Sequence, residues 1–250
     1  MDFPSLRTHL AAEADALKAA AARADPDARV PSCPDWTATD LLDHVTEVYD
    51  HKTQCMRLLR EPEDGERLER EGGPAERFDA ALAGLLAEFD ARHPEDLSHT
   101  WYGPDQTVGF WIRRMAAETV VHRADAELAA VETIGPVDPG LGADAADEML
   151  RIMVEWESRV SRDELAEVLA DAAGLVVAVD AGERAWTVRV GAEAAEVADG
   201  IDADAQATVS GTPGEVLMWL WRRLPAEALT VEGDAAKSAA LHAMLAEFGQ

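Results

Sequence analysis

The chain of 250 residues carries 49 acidic against 22 basic side chains, for a formal net charge of −27. Such a field repels nucleic-acid phosphates and anionic membranes, so neither is expected as a partner, and a small organic acid fits only where arginines and a metal reverse the sign inside a pocket. Two cysteines, Cys33 and Cys55, are too few for a disulfide framework, and the lack of a signal-like N-terminus or a membrane-length apolar run predicts a cytoplasmic protein.

In chain order, Leu6, Leu10, Ala14 and Leu17 recur at helical spacing and predict a first helix over 5–24, ended by Asp25-Pro26. Residues 29–36 read as a loop punctuated by Pro31 and Pro34. Thr37 and Asp40 fit a capping box that starts a second helix, running from 38 towards 60. Its apolar residues Leu41, Leu42, Val45, Val48 and Met56 mark a buried side, with His44, Glu47 and His51 on an adjacent stripe. The charged, glycine-containing stretch 61–74 reads as a solvated connection. Phe78, Leu82, Leu85, Leu86 and Phe89 mark a third helix that stops before Pro94, followed by a turn-rich loop over 97–107. A fourth helix is expected over 108–130 and, after a break at 135–142, a fifth over 143–159.

Beyond Asp171 the texture changes. Segments 175–179 and 186–190 read as strands joined by a turn at Asp180-Ala181-Gly182, and 207–210 as a third strand. A helix over 213–223 with proline in its first turn, a short strand over 229–231 and a last helix over 235–248 complete the chain. Helices first, then mixed strands and helices, predict an α+β protein of two domains, 1–160 and 161–250.

The fourth helix carries the chemistry. Glu118 and His122 are four residues apart, so both side chains project from one face, about 6 Å apart along the axis. The rest of that face, with Trp111 and Met115, is mostly apolar, and two polar groups are costly there unless paired or ligated. An ion pair between Glu118 and Arg114 is the plainer alternative. A carboxylate and an imidazole make two thirds of a catalytic metal site, and the third ligand is expected from a neighbouring helix. His44 is the candidate; His51, one heptad on and on nearly the same face, competes for the role. His9, His93, His99 and His242 have no partner at metal-binding spacing. A His₂Glu set leaves an open position on Zn²⁺ for a water or a thiol, and a thiol there loses its proton. Neither cysteine suits as that thiol: a small buried hydrophobe is the commoner fate of Cys33, and Cys55 lies more than ~15 Å along the second helix from His44. Asp125 and Arg114 are placed to support His122 and Glu118 from behind.

Two stretches carry a resemblance. Val30-Pro31-Ser32-Cys33-Pro34-Asp35-Trp36-Thr37 with Asp40-Leu41-Leu42-Asp43-His44-Val45, and then the run from Gly109 to Glu127, are similar to the two signatures of the mycothiol-dependent maleylpyruvate isomerase family. The likeness continues through Val137-Asp138-Pro139, Asp144, Glu148, Val209-Ser210-Gly211, the run 217–223 and Val231-Glu232-Gly233-Asp234, and so covers nearly the whole chain. The resemblance implies a DinB-like up-and-down helical bundle holding a divalent metal, usually zinc, followed by a small mixed α/β domain related to sterol carrier proteins. It implies His44, Glu118 and His122 as the metal ligands, which selects His44 over His51. It also implies a basic residue of the C-terminal domain in handling the substrate acid. Arg223 matches that residue, because Arg222-Arg223 stands where a Gly-Arg pair is usual and Arg222 is the departure. Asp35 in place of the commoner glycine, and Ala124 in place of the common tryptophan, are two further departures that bear on the shape of the pocket.

The expectation is a divalent-metal-dependent enzyme, monomeric or weakly dimeric, that uses mycothiol as a low-molecular-weight thiol. The resemblance implies cis–trans isomerisation of a maleylpyruvate-like acid or a related thiol addition. The alternatives are a mycothiol S-transferase acting on an electrophilic small molecule, and a non-catalytic protein whose C-terminal domain holds an apolar ligand.

Overall fold

Apolar residues at helical spacing build the first half of the chain, here described in a computed structural model over residues 1–248. Helix α1 (Phe3–Ala21) starts at Asp2, whose carboxylate accepts the Ser5 amide, and buries Leu6, Leu10 and Leu17. Two short antiparallel strands follow, β1 (Arg29–Val30) and β2 (Cys33–Thr37). Helix α2 (Ala38–Leu58) opens on the expected capping box, with Thr37 and Asp40 each accepting the other's amide, and ends at Leu59 in a left-handed conformation. Helix α3 (Pro74–Ala91) buries Phe78, Leu85 and Phe89. Helix α4 (Val108–Ala129), capped by Thr107, is buried on nearly every face. It packs against α1 and α2, and α2 packs against α3, around a core that includes Leu10, Tyr49, Phe78 and Trp111.

The hairpin at 29–37 replaces the loop expected there. Its strands are too short and too interrupted by proline to alternate visibly, and Pro34 sits exposed in β2, where an edge strand tolerates a missing donor. The hairpin lies against α2 and α4.

The chain divides into two compact units, Met1–Gly135 and Pro136–Gln250. The second begins with α5 (Pro139–Glu148), a π-helical continuation (Met149–Trp156), α6 (Glu157–Val160) and α7 (Ala166–Ala172). Strands β3 (Val176–Asp180), β4 (Ala185–Val190), β5 (Ala195–Asp199) and β6 (Ala207–Ser210) come next, then α8 (Pro213–Leu220), β7 (Thr230–Gly233) and α9 (Ala235–Met244). The sheet order is β5-β4-β3-β6-β7, with β3 and β6 parallel and the remaining neighbours antiparallel. A helical unit followed by a mixed α/β unit is the α+β class that the texture of the sequence predicts. Among the described residues no helix is long and apolar enough to cross a membrane.

The units divide at Gly135–Pro136, whereas the change of sequence texture places a domain boundary at 160–161. Met149, Leu150 and Val154 lie in one apolar core with the sheet residues Val177, Trp186 and Val209, which assigns the helices before 160 to the second unit. Helix α5 starts at Pro139, within the segment read as a break, because Asp138 accepts the amides of Gly140 and Leu141. Gly142 marks a close packing contact there: a Cβ on it would meet the Pro213 backbone at 2.8 Å. Strand β5 was not foreseen, since Val197 is its one β-branched residue; pairing with β4 and burial of Ala195 and Val197 define it. Helix α8 ends before 223 because Arg222 adopts φ +60°.

The cap at Thr37 secures the start of the helix that carries His44. Thr37→Ala is expected to lower stability by about 1 kcal/mol, read as a lower denaturant midpoint with an unchanged slope. An unchanged midpoint contradicts this role.

Candidate metal centre

Helix α2 delivers His44 two turns after its cap, and α4 delivers Glu118 and His122 from one face. Glu118 Oε1 lies 3.1 Å from His122 Nε2 and 3.6 Å from His44 Nε2. One ligand atom from each of the three residues lies within 4.8 Å of the other two. A tetrahedral Zn²⁺ with bonds of about 2.0–2.1 Å keeps neighbouring ligand atoms roughly 3.3 Å apart, so the donor set fits such an ion. The His44 side chain is 34% exposed, against 14% for Glu118 and 9% for His122. The cluster is therefore reached from the side of His44.

Neighbouring side chains hold the three candidate ligands from behind. Arg114 binds Glu118 Oε2, which leaves Oε1 to face both imidazoles. Asp125 is fully buried, and its Oδ2 lies 2.9 Å from His122 Nδ1, so the proton on Nδ1 is fixed and Nε2 faces the cluster. Ser32 of the β1–β2 turn donates to the other oxygen of Asp125. Trp36 of β2 packs at a tilt against His44, with ring centroids 4.4 Å apart, and walls one side of the cluster. Thr119 donates to the Met115 carbonyl and accepts from Tyr49, at 2.6 Å in both cases, which ties α2 to α4 beside Glu118.

The charges follow from these contacts. Burial opposes ionisation of Glu118, but the guanidinium of Arg114 and the imidazole of His122 outweigh it and hold the carboxyl well below its ordinary value. Burial likewise opposes a charge on His122, yet Glu118 and Asp125 raise its pKa to about 9. Without a metal, the pair is imidazolium and carboxylate at neutral pH.

The remaining residues singled out in the sequence take other places. His51 stands outside the three-residue cluster: its Nδ1 lies 3.1 Å from Lys52 Nζ, and its Nε2 lies 3.7 Å from Glu61. Burial and the adjacent ammonium lower its pKa. Cys55 is buried, and burial raises its thiol pKa to about 11; Cys33 is half-buried in β2. Arg223 belongs to the second unit, where its Nη1 donates to the Trp221 carbonyl at 2.8 Å. Arg222 occupies the left-handed region at φ +60°, a conformation glycine adopts without strain, which fits the Gly-Arg pair that the resemblance implies there. Asp35 is exposed and Ala124 is fully buried. Trp36 and Ser32 were not foreseen as site residues, since both lie in a segment that reads as a loop. Their only sequence signal is membership of the first signature.

A profile described as the mycothiol maleylpyruvate isomerase N-terminal domain matches residues 7–127. A second, described as the MDMPI C-terminal domain, matches residues 159–240. No curated protein shows a significant match. A solved structure titled "UbiJ-SCP2 Ubiquinone synthesis protein" is similar at 18% identity, over 44% of this chain and 93% of that one, with a TM-score of 0.31. A likeness that loose carries no structural argument.

The shifted pKa values give a test by sign. In the metal-free protein, the contribution of His122 to stability is whole below its ordinary value of 6.5 and is lost as pH rises through about 9. Glu118 acts in the opposite sense, contributing above 4.5 and losing its effect as pH falls through its lowered value. Metal binding requires an unprotonated Nε2 and strengthens as pH rises. The melting temperature of metal-free protein is therefore expected to fall across the His122 window while the increment added by zinc grows. His122→Gln should flatten the first trend and abolish the second; the same slopes in wild type and variant contradict this assignment.

Proposed function

The chain belongs to the mycothiol maleylpyruvate isomerase family, and from that membership we propose that it is a divalent-metal-dependent enzyme that uses mycothiol on a small electrophilic acid. The observation that carries the proposal is the convergence of His44, Glu118 and His122 around Glu118 Oε1, with the side of His44 open. A divalent ion held by these three supplies a Lewis acid that favours the thiolate form of a bound thiol at neutral pH. Zinc suits the two-nitrogen, one-oxygen donor set.

The protein's own groups do the positioning. Asp125 keeps the His122 Nδ1 proton in place, so that Nε2 is the donor atom. Arg114 restricts Glu118 to one free oxygen and keeps it ionised. Trp36 packs a tilted ring against one face of the His44 imidazole and leaves its exposed side open. The family resemblance also assigns Arg223 to handling of the substrate acid, and that role is part of the proposal.

The reaction this arrangement supports best is cis–trans isomerisation of a maleylpyruvate-like acid. A carbon–sulfur bond forms at one end of the conjugated double bond, and the electron pair moves into the adjacent carbonyl system. The former double bond then turns, and loss of the same thiol restores conjugation in the trans acid. With an electrophile whose adduct does not eliminate, the same site would yield a thioether.

Purified protein is expected to hold about one zinc per chain, lost in His122→Ala and retained in His51→Ala. Asp125→Ala should weaken zinc affinity by about 10–100-fold without removing the metal. Incubation with mycothiol and maleylpyruvate should yield fumarylpyruvate in wild type and not in His122→Ala. A stable thioether would identify a transferase. No metal in wild type, or full activity in His122→Ala, would contradict the proposal.

A further inference from the structure

The cavity beside His44 holds a cation with no carboxylate at ion-pair distance among the described residues, although Glu47 and Glu61 also line its wall. Its wall follows α2 from His44 to Lys52 and closes against the connection that contains Arg67 and Arg70, enclosing about 550 Å³. Three of its four cations are neutralised: Arg70 by Asp50 at 2.6 Å, Arg77 by Asp43 at 2.5 Å and Arg67 by Asp64 at 3.4 Å. Lys52 is the fourth. Its ammonium donates to His51 Nδ1 at 3.1 Å and lies 4.9 Å from the centroid of the Trp111 ring. Among the described residues, none of its partners is a carboxylate at ion-pair distance.

That arrangement is unusual in a chain where 49 acids face 22 bases, since counter-charges are plentiful. Lys52 has given up part of its hydration for a neutral imidazole and an aromatic face, and burial lowers its pKa accordingly. Glu118 and Glu61 act on the ammonium only at longer range, and an anion entering the cavity would supply the direct partner it lacks. Lys52 follows His44 by eight residues on α2, and Trp111 precedes Glu118 by seven on α4. Both helices therefore place the lysine's anchor and its aromatic support roughly 10–12 Å from the ligand cluster along their axes. The long side chain can shorten that span, leaving a distance that suits an acid whose charged end is several bonds from its reacting carbon.

We propose that Lys52 is the carboxylate subsite of this cavity, receiving an anionic end of the substrate while the reacting end faces His44. The assignment rests on the reading of His44, Glu118 and His122 as the reaction centre, and it adds the way an anion is admitted to a strongly acidic protein. Lys52 is a positioning residue: it sets where the acid sits and takes no part in bond making.

The test is calorimetric titration of the full-length protein as purified, with maleate as the probe and metal content measured in parallel. Lys52→Met is expected to weaken maleate binding by about tenfold or more, the range for loss of a hydrogen bond to a charged group. Lys52→Arg, which keeps the charge, should stay within about threefold of wild type, and both variants should keep the wild-type metal content. In turnover, Lys52→Met should raise KM by about tenfold with kcat changed far less. Equal maleate affinity in wild type and Lys52→Met overturns the proposal, as does an absence of maleate binding to wild type; the ammonium then only stacks on Trp111. Loss of maleate binding in Lys52→Met from a protein that holds no metal would uphold the subsite and overturn the reaction-centre reading instead.

Discussion

One carboxylate oxygen organises the N-terminal unit. Glu118 Oε1 faces His44 Nε2 and His122 Nε2, while Arg114 takes Oε2. The helix that carries Glu118 is buried on nearly all sides, so its charge cannot be left to solvent. It is answered within the fold by Arg114 and, in the absence of a cation, by a proton on His122. In the proposed metal-bound form a divalent ion would take the place of that proton, since one donor atom from each of the three residues lies within 4.8 Å of the others. The same interaction would thus serve stability in one state and, on the proposed reading, ligation in the other.

The groups behind the ligands explain features of the fold that carry little weight in the core. The β1–β2 hairpin buries little of its own surface, yet it delivers Ser32 to Asp125 and Trp36 to His44. Asp125 in turn decides which nitrogen of His122 is free. The contact of Tyr49 with Thr119 ties α2 to α4 beside the cluster, where His44 Nε2 of one helix lies 3.6 Å from Glu118 Oε1 of the other. On the open side the charge pattern changes. The cavity's arginines are matched by aspartates, whereas Lys52 lies against the Trp111 ring with no carboxylate at ion-pair distance among the described residues.

Much of this was legible in the sequence, for identifiable reasons. The Thr37–Asp40 capping box and the i,i+4 spacing of Glu118 and His122 are local patterns, and local patterns survive into the fold. Spacing alone left His44 and His51 in competition, since both lie on one stripe of α2. What separates them is which neighbour each ring meets, Glu118 for one and Lys52 with Glu61 for the other, and that is a tertiary fact. The hairpin at 29–37 and strand β5 were missed because their pairing partners, not their own residues, make them extended. The glycine-rich segment at 135–142 misled in the other direction: Gly142 lies within α5, where α8 approaches closely. Arg222 in a left-handed turn is a departure visible in the sequence whose physical meaning needed the backbone angle.

The central claim is that two imidazoles and one carboxylate oxygen share a single ion with room for a sulfur. Zinc-edge X-ray absorption on the purified protein reads that shell directly. The account predicts nitrogen and oxygen scatterers at about 2.0–2.1 Å, with imidazole outer-shell features for two rings and no sulfur. Adding a thiol should then introduce one sulfur at about 2.3 Å. A sulfur present before any thiol is added, or an all-oxygen shell that ignores the thiol, would contradict it.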